Sequence, residues 1–591
     1  MYMPLLLKRL AMICCASVAF LYGNADNAPL FPTDVAIGTN GELIMTEKGQ
    51  KRLAVYSADG KKLLHAFALE DMPTGVAVAG DKAYVTTSGD KGCLHILSLA
   101  NGKDEAEITT GMGACNPVLS VDKMRMYVCN QFQNTISEID LGSRKVARTV
   151  EVLREPRAAV LSKDGRHLFV ANFLPSQRAD VDYVAACVSV IETSSFRKVK
   201  DMKLANGSNA LRGICLSPDG KHVYVSHNLG RFAVPTSQLQ QGWMNTSAFS
   251  IIDTEKQEFL GTVVTDEAER GAAGVWSVAC DEEHIYISHS GTHEISVIKH
   301  QELLDKFLKH PNRQALEYDL NFLYGIRQRI PVEGNGPRSI ALAKGKLIVP
   351  TYFSDILNII DTDNLQCTSV TLNPGRQETD EQKGERHFND ASHCFQGWQS
   401  CNGCHPGDAR SDGMNWDLMN DGIGNPKNCK SLLYSHPTPP SMISGIRKSA
   451  EIAVWAGFKF IQFFDISKED AMCVDAYLKS LKAVKSPYLV NGELSDKARE
   501  GKKVFDKLKC GECHSGVYYT DCKMHRIGDD IEFEEGWDTP TLCEVWRTAP
   551  YLFDGRAATM KEVFTVHRHG LPKKKVSDKD IEALTEYVNS L

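Results

Sequence analysis

A unit of about 40 residues, the length of one propeller blade, recurs seven times between residues 31 and 373, and no other feature restricts the fold more. Unit starts fall at Pro32, Pro73, Pro117, Pro156, Leu211, Val275 and Pro337, 39 to 64 residues apart. Each unit opens with a turn and a short apolar run, passes an Asp-Gly or equivalent turn, and continues into two more strands. The second-strand ends read Leu43-Ile-Met-Thr46, Tyr84-Val-Thr-Thr87, Tyr127-Val-Cys-Asn130, Phe169-Val-Ala-Asn172, Tyr224-Val-Ser-His227, Tyr286-Ile-Ser-His289 and Ile348-Val-Pro-Thr351. One such unit cannot bury its apolar face alone, and an open sheet would leave its edges exposed. Radial stacking removes both problems. The repeats therefore predict an all-β, seven-bladed propeller over residues 31–373. Insertions lengthen it at residues 174–186, 229–246 and 300–330, the last with Leu303, Leu304, Phe307 and Leu308 at helical spacing. Inserted loops often carry function, whereas a propeller by itself states no chemistry.

Beyond Pro374 the pattern changes. Residues 376–386 are charged and read as a linker. Helical segments follow at residues 468–481, 495–508 and 577–591, with Ser467 and Ser577 as N-caps. A multidomain chain is expected, its second part mainly α. That part holds two C-x-x-C-H motifs, Cys401-Asn-Gly-Cys404-His405 and Cys510-Gly-Glu-Cys513-His514. In such a motif the two thiols add to the haem vinyl groups and the histidine supplies the proximal iron ligand. A Cys₄ zinc site would leave both histidines idle, and a dithiol redox site needs one pair in a βαβ setting. Two covalently bound haems c are the expected cofactors.

The compartment agrees with this chemistry. Lys8 and Arg9 precede an apolar run from Leu10 to Tyr22, and Asn24-Ala25 follows. Residues 1–25 read as a signal peptide, with a run too short to span a bilayer. The expected location is the periplasm or the cell surface, with membrane association left open. Export also suits the 18 cysteines, since disulfides persist outside the cytosol. With 67 Lys and Arg against 74 Asp and Glu, the net charge of −7 excludes a nucleic-acid partner that needs a basic face.

The repeats resemble the YVTN-type seven-bladed propellers. Gly384-Glu-Arg-His-Phe-Asn389 and Gly501-Lys-Lys-Val-Phe505, which precede the two motifs, resemble the paired openings of bacterial di-haem cytochrome c peroxidases. Asp538-Thr-Pro-Thr-Leu542 and Thr548-Ala-Pro-Tyr-Leu-Phe-Asp-Gly-Arg556 look like that superfamily's second-domain signature, which it shares with the methylamine-utilisation di-haem enzyme. The resemblance implies two cytochrome c folds, over residues 384–485 and 495–591, with a peroxidatic first haem and an electron-relay second haem. It puts His567 at the second haem's distal position, with His569 and Met560 as alternatives. Asp421 stands where the family has the first haem's distal histidine, which leaves that iron open unless His436 closes it. Asn428 matches a calcium ligand of the family. Glu451 is a candidate distal acid/base, because peroxide heterolysis moves a proton between the two oxygens. Trp398, Trp416, Trp455, Trp537 and Trp546 gather in the same half, as porphyrin packing or as relays.

The function expected is an exported di-haem oxidoreductase that reduces peroxide, or uses it to oxidise an organic partner. An electron-donor protein or quinol-linked chain would feed it, and the propeller would be the docking platform. Two rivals are a purely electron-transferring cytochrome with both irons closed, and a ligand-binding surface propeller with haems as conduit.

Overall fold

The computed structural model describes residues 27–233, 243–418, 426–527, 534–573 and 575–591. The expected signal peptide and Asp421 lie outside the described residues, as does part of the 229–246 insertion. Twenty-eight strands, β1 (Pro32–Ile37) to β28 (Cys367–Thr371), form seven four-stranded antiparallel meanders, each built from consecutive strands. The chain is a seven-bladed β-propeller, as its repeats predict. The second and third strands of each blade are buried on both faces and therefore read as continuous apolar runs. The outer strands, such as β4 (Leu63–Ala68) and β16 (Arg197–Lys203), face solvent.

Recurring local chemistry sets the blades. Between first and second strands, Ser120, Ser162 and Ser217 each donate to the Asp two residues on, at 2.6 Å. Gly165 and Gly220 follow with φ of 71° and 79°, a left-handed conformation that glycine adopts without a Cβ penalty. A polar residue ends the second strand of several blades and bonds to the third. Asn130 and Asn172 donate to Ser137 and Ser189 at 2.9 Å. In the next two blades His227 and His289 take that place, at 2.8 and 2.9 Å from Ser250 and Ser296. Both histidines are fully buried, and burial pushes them down from 6.5 to about 4 and about 3. The unfolded chain therefore binds more protons than the folded one below pH 6.5, so stability is lost as pH falls from about 7 to 4. The double variant His227→Asn/His289→Asn, which copies the preceding blades, should flatten the fall of Tm over that window by several degrees. An unchanged slope would show that other groups carry it.

The ring closes without a shared strand. The Leu30 amide donates to the Asp355 carboxylate at 2.9 Å and Ser339 donates to Asp34 at 2.9 Å. Val35, Met45 and Tyr56 of the first blade pack on Ile348, Leu357 and Ile359 of the last. In the 300–330 insertion the expected helix is α1 (His300–Leu308). It buries Leu303, Leu304 and Phe307 and leaves Leu308 exposed.

The part after the propeller is not mainly α. Among the described residues its helices are few: α2 (Asp380–Asn389), α3 (Ala450–Phe460), α4 (Lys468–Ser480), α5 (Asp496–Lys507), α6 (Met560–Thr565) and α7 (Asp578–Asn589), with one short turn at Pro406–Ala409. Long irregular segments separate them, where prolines such as Pro437, Pro439 and Pro440 withhold amide donors. Ser467 and Ser577 do cap α4 and α7. The 376–386 stretch is no free linker, since Arg376 pairs with Asp355 at 2.8 Å and α2 begins within it on a Thr379/Gln382 capping box.

Two structurally equivalent units follow one another here. Gly384 of α2 meets α4 so closely that a Cβ would stand 1.9 Å from the Cys473 carbonyl. Gly501 of α5 meets α7 in the same way, 1.9 Å from the Ala583 carbonyl. The rings Phe388–Tyr477 and Phe505–Tyr587 pack beside these crossings at 5.4 and 5.3 Å. Both units rest on one face of the propeller, through Ala391 N–H to Gly291 O at 2.9 Å and Ala179 N–H to Gly555 O at 2.8 Å.

Candidate functional site

Each C-x-x-C-H segment forms one 3₁₀ turn, Cys401–Gly403 and Cys510–Glu512, that throws the following histidine inward. The His405 Nδ1 lies 3.1 Å from the Arg410 carbonyl, and the His514 Nδ1 lies 3.1 Å from the Tyr519 carbonyl. In both units the acceptor is five residues on. Such a bond orients the ring and leaves Nε2 with a free lone pair. Burial pushes His405 down to about 4 and lowers His514 as well, so both rings are neutral.

Cys401, Cys404 and His405 open into a cavity of 290 Å³ with mostly apolar walls, among them Phe388, Val454, Ile461 and Leu478. Three buried polar atoms in its lining lack a hydrogen-bond partner: Ser441 Oγ, Gln462 Oε1 and Asp538 Oδ1. Orphaned polar atoms on an apolar cavity are costly unless an occupant meets them. Arg447 lines it too, with no carboxylate partner among the described residues, as does Lys430, paired with Asp538 at 2.9 Å. Two thiols, a neutral imidazole, apolar walls and cationic groups fit a porphyrin with carboxylate arms. Burial pushes the Cys401 thiol up to about 12. Among the described residues no group of three or more His, Cys, Asp or Glu is placed to hold a metal ion.

The two sites differ opposite their histidines. In the second unit the rings of His514 and His569 stand 6.2 Å apart between centroids. His569 is pushed down to about 4 by burial and by His514. The structure brings His569, not the favoured His567, to this place. Helix α6 ends at Thr565, Arg568 takes a left-handed φ of 51°, and the His569 amide returns to the Val563 carbonyl at 3.0 Å. Met560 packs in the apolar core of the unit. In the first unit His405 is the one histidine lining the cavity among the described residues. His436 is turned to Asp475 at 3.0 Å, and Glu451 is a half-exposed residue paired with Lys479 at 3.1 Å; neither lines the cavity.

Other residues complete the site, and among them Cys429, Tyr434 and Tyr518 carry no sequence signal. Cys429 lies in the cavity wall with Sγ 3.5 Å from His405 Nδ1. Asp538 and Thr539 reach the first cavity from the second unit. Tyr434 and Tyr518, one from each unit, meet at 4.9 Å, and Trp537 stacks on Phe553 at 4.3 Å. Of the other tryptophans, Trp416 lines the cavity and donates to Asp412 at 2.8 Å, and Trp398 is buried. Trp455 is exposed beside Lys459, and Trp546 meets Phe132 of the propeller. Asn428 also lines the cavity and donates to Asn415 at 3.2 Å. Among the described residues no helix is long and apolar enough to cross a membrane.

No protein-family model matches the chain. The hydrazine synthase subunit gamma of Kuenenia stuttgartiensis is 24% identical over 265 residues, covering 35% of this chain and 72% of that protein. The hydrazine synthase subunit beta of the same organism is 26% identical over 239 residues, covering 39% of this chain and 59% of that protein. A solved structure of Kuenenia stuttgartiensis hydrazine synthase superposes with a TM-score of 0.53 at 21% identity, over 57% of this chain and 97% of that chain, a likeness of fold.

Proposed function

We propose that the chain is an exported oxidoreductase that carries two covalent haems c, one on Cys401, Cys404 and His405 and one on Cys510, Cys513 and His514. One observation carries this reading: His569 faces His514, whereas the cavity beside His405 holds no second histidine among the described residues. When bound, haem supplies an iron that takes a small molecule at an open position and exchanges single electrons. The first site is then the reaction centre and the second a closed relay.

The chain's own groups do the rest. The Arg410 and Tyr519 carbonyls hold the two proximal rings in one tautomer. Asp538, raised by burial against the pull of Lys430, sits in the cavity wall as the group that holds and returns a proton. His436 and Glu451 act on the cavity only through Asp475 and α3 in this reading. Tyr434 and Tyr518 bridge the units for electrons, and the propeller docks the donor protein. The substrate is peroxide, reduced alone or coupled to oxidation of a partner. The names of the two curated relatives favour a second reading, with a small nitrogen compound in place of peroxide.

Ferric spectra test the asymmetry. About half of the haem should be high-spin and react with peroxide or hydroxylamine. His569→Ala should make the second haem high-spin, while His567→Ala leaves it low-spin. A wholly low-spin protein inert to both reagents would leave a plain electron carrier, and a low-spin second haem in His569→Ala would exclude that ligand.

A further inference from the structure

The innermost strands of successive blades, or the residues just before them, place equivalent residues around the central channel, one after the unit start on every blade but the third. On the first two blades they are Thr33 and Thr74, and on the third Cys115. On the last four they are Arg157, Arg212, Trp276 and Arg338. One half of the ring is small and neutral, and the other carries three arginines and a tryptophan.

The arginines interleave with aromatic rings. Arg157 and Arg212 both lie over Phe173, at 5.0 and 5.6 Å. Arg212 and Arg338 both lie over Trp276, at 4.5 and 4.2 Å, and Arg338 also over Tyr352 at 4.0 Å. A guanidinium on a ring face keeps its in-plane N–H edge available to acceptors, and Arg338 gives part of that edge to Asn389 Oδ1 at 3.0 Å. Among the described residues none of the three has an ion-pair partner. Arg212, 7% exposed, reaches only neutral oxygens, Val275 O at 3.4 Å and Asn402 Oδ1 at 3.3 Å. Burial and the fields of Arg157 and Arg338 depress its pKa strongly. Lys48 adds a fourth cation, 3.4 Å from the Tyr352 hydroxyl. Two carboxylates face the same space. Asp408, on the turn after His405, is felt by Lys48, Arg547, Arg410 and Arg157, of which Arg547 and Arg410 are already paired with Glu155 and Glu544. Glu385 is felt by Lys48 and Arg338. Four cations against two carboxylates leave the chamber positive, under the Cys401–His405 loop.

We propose that this chamber, built by Arg157, Arg212, Arg338 and Lys48 on the propeller axis, binds a small oxyanion. A buried guanidinium without a counter-ion is costly, and an anion in the chamber supplies that counter-ion. The blades hold the three guanidinium groups against the faces of Phe173, Trp276 and Tyr352. Through the Arg212–Asn402 bond, occupancy is coupled to the first C-x-x-C-H loop. The site does not depend on the haem reading, since its four cations all belong to the propeller.

The test is calorimetric titration of the full holoprotein at low ionic strength with inorganic phosphate and with acetate. These two probes separate a tetrahedral from a planar anion. Saturable binding should weaken at least tenfold in Arg212→Met and in Arg338→Gln, and remain unchanged in Arg166→Gln, which alters an exposed blade turn. Equal affinity in a channel variant that keeps the wild-type circular dichroism would overturn the proposal. Arg338→Gln decides if Arg212→Met does not fold. A wild-type Tm that rises no more with phosphate or acetate than with chloride at equal ionic strength would overturn it as well.

Discussion

Replacing Cys401 and Cys404 together by alanine is expected to halve the haem that survives denaturing electrophoresis. The two C-x-x-C-H turns stand in separate units, so neither thiol pair can serve the other's porphyrin. Each thiol of the first pair is held in place from outside its own turn. Cys401 Sγ accepts from Gln462 Nε2 at 3.2 Å, and Cys404 Sγ accepts from Asn245 Nδ2 of the propeller at 3.1 Å. Loss of both removes the thioethers at one site and leaves Cys510 and Cys513 untouched. The remaining haem should show the low-spin spectrum of the His514–His569 site. Full haem retention would sink the assignment, and loss of all haem would mean that the sites mature as one.

The second large effect is expected from Glu544→Ala. Glu544 is fully buried between two arginines. Arg410 donates to both of its oxygens at 2.9 Å, and Arg547 reaches it at 3.3 Å and then bonds Glu155 of the propeller at 3.0 Å. The Val484 amide adds a bond at 2.9 Å. Removing this carboxylate leaves Arg547 with Glu155, and leaves the buried Arg410 guanidinium with the backbone carbonyls of Asp408 and Lys482. Breaking such a network typically costs about 3–5 kcal/mol. Denaturant unfolding should register that loss, and Glu544→Gln, which keeps acceptors but not charge, should cost less. Because the Arg410 carbonyl orients His405, the spectrum of the first haem should change while that of the second does not. A loss below about 1 kcal/mol, the range of exposed pairs, would show that the network is solvated.

What was legible in the sequence is what short-range chemistry decides. The blade period, the strand ends, the serine caps of α4 and α7 and the two C-x-x-C-H turns each lie within one contiguous stretch. Their strand, cap or turn geometry follows from local residue types. The second part holds less helix than its clear helical segments suggest, because prolines and paired two-residue strands, such as Asn415–Trp416 against Lys427–Asn428, keep the segments between them irregular.

The tertiary structure alone decided the rest. His567 and His569 differ by two positions and are chemically alike. A left-handed Arg568 and the return of the chain to Val563 choose which of them meets His514. Asp538 stands 133 residues beyond His405 and reaches the first cavity only because its strand, Trp537–Asp538, packs across the unit boundary onto Ile443. Arg157, Arg212 and Arg338 look like ordinary polar residues at the starts of separate repeats. Ring closure turns them into one charged wall, because equivalent positions of successive blades converge on the axis. Local sequence determines which elements form, whereas the choice of partners at a site depends on contacts between residues far apart in the chain, which no local pattern records.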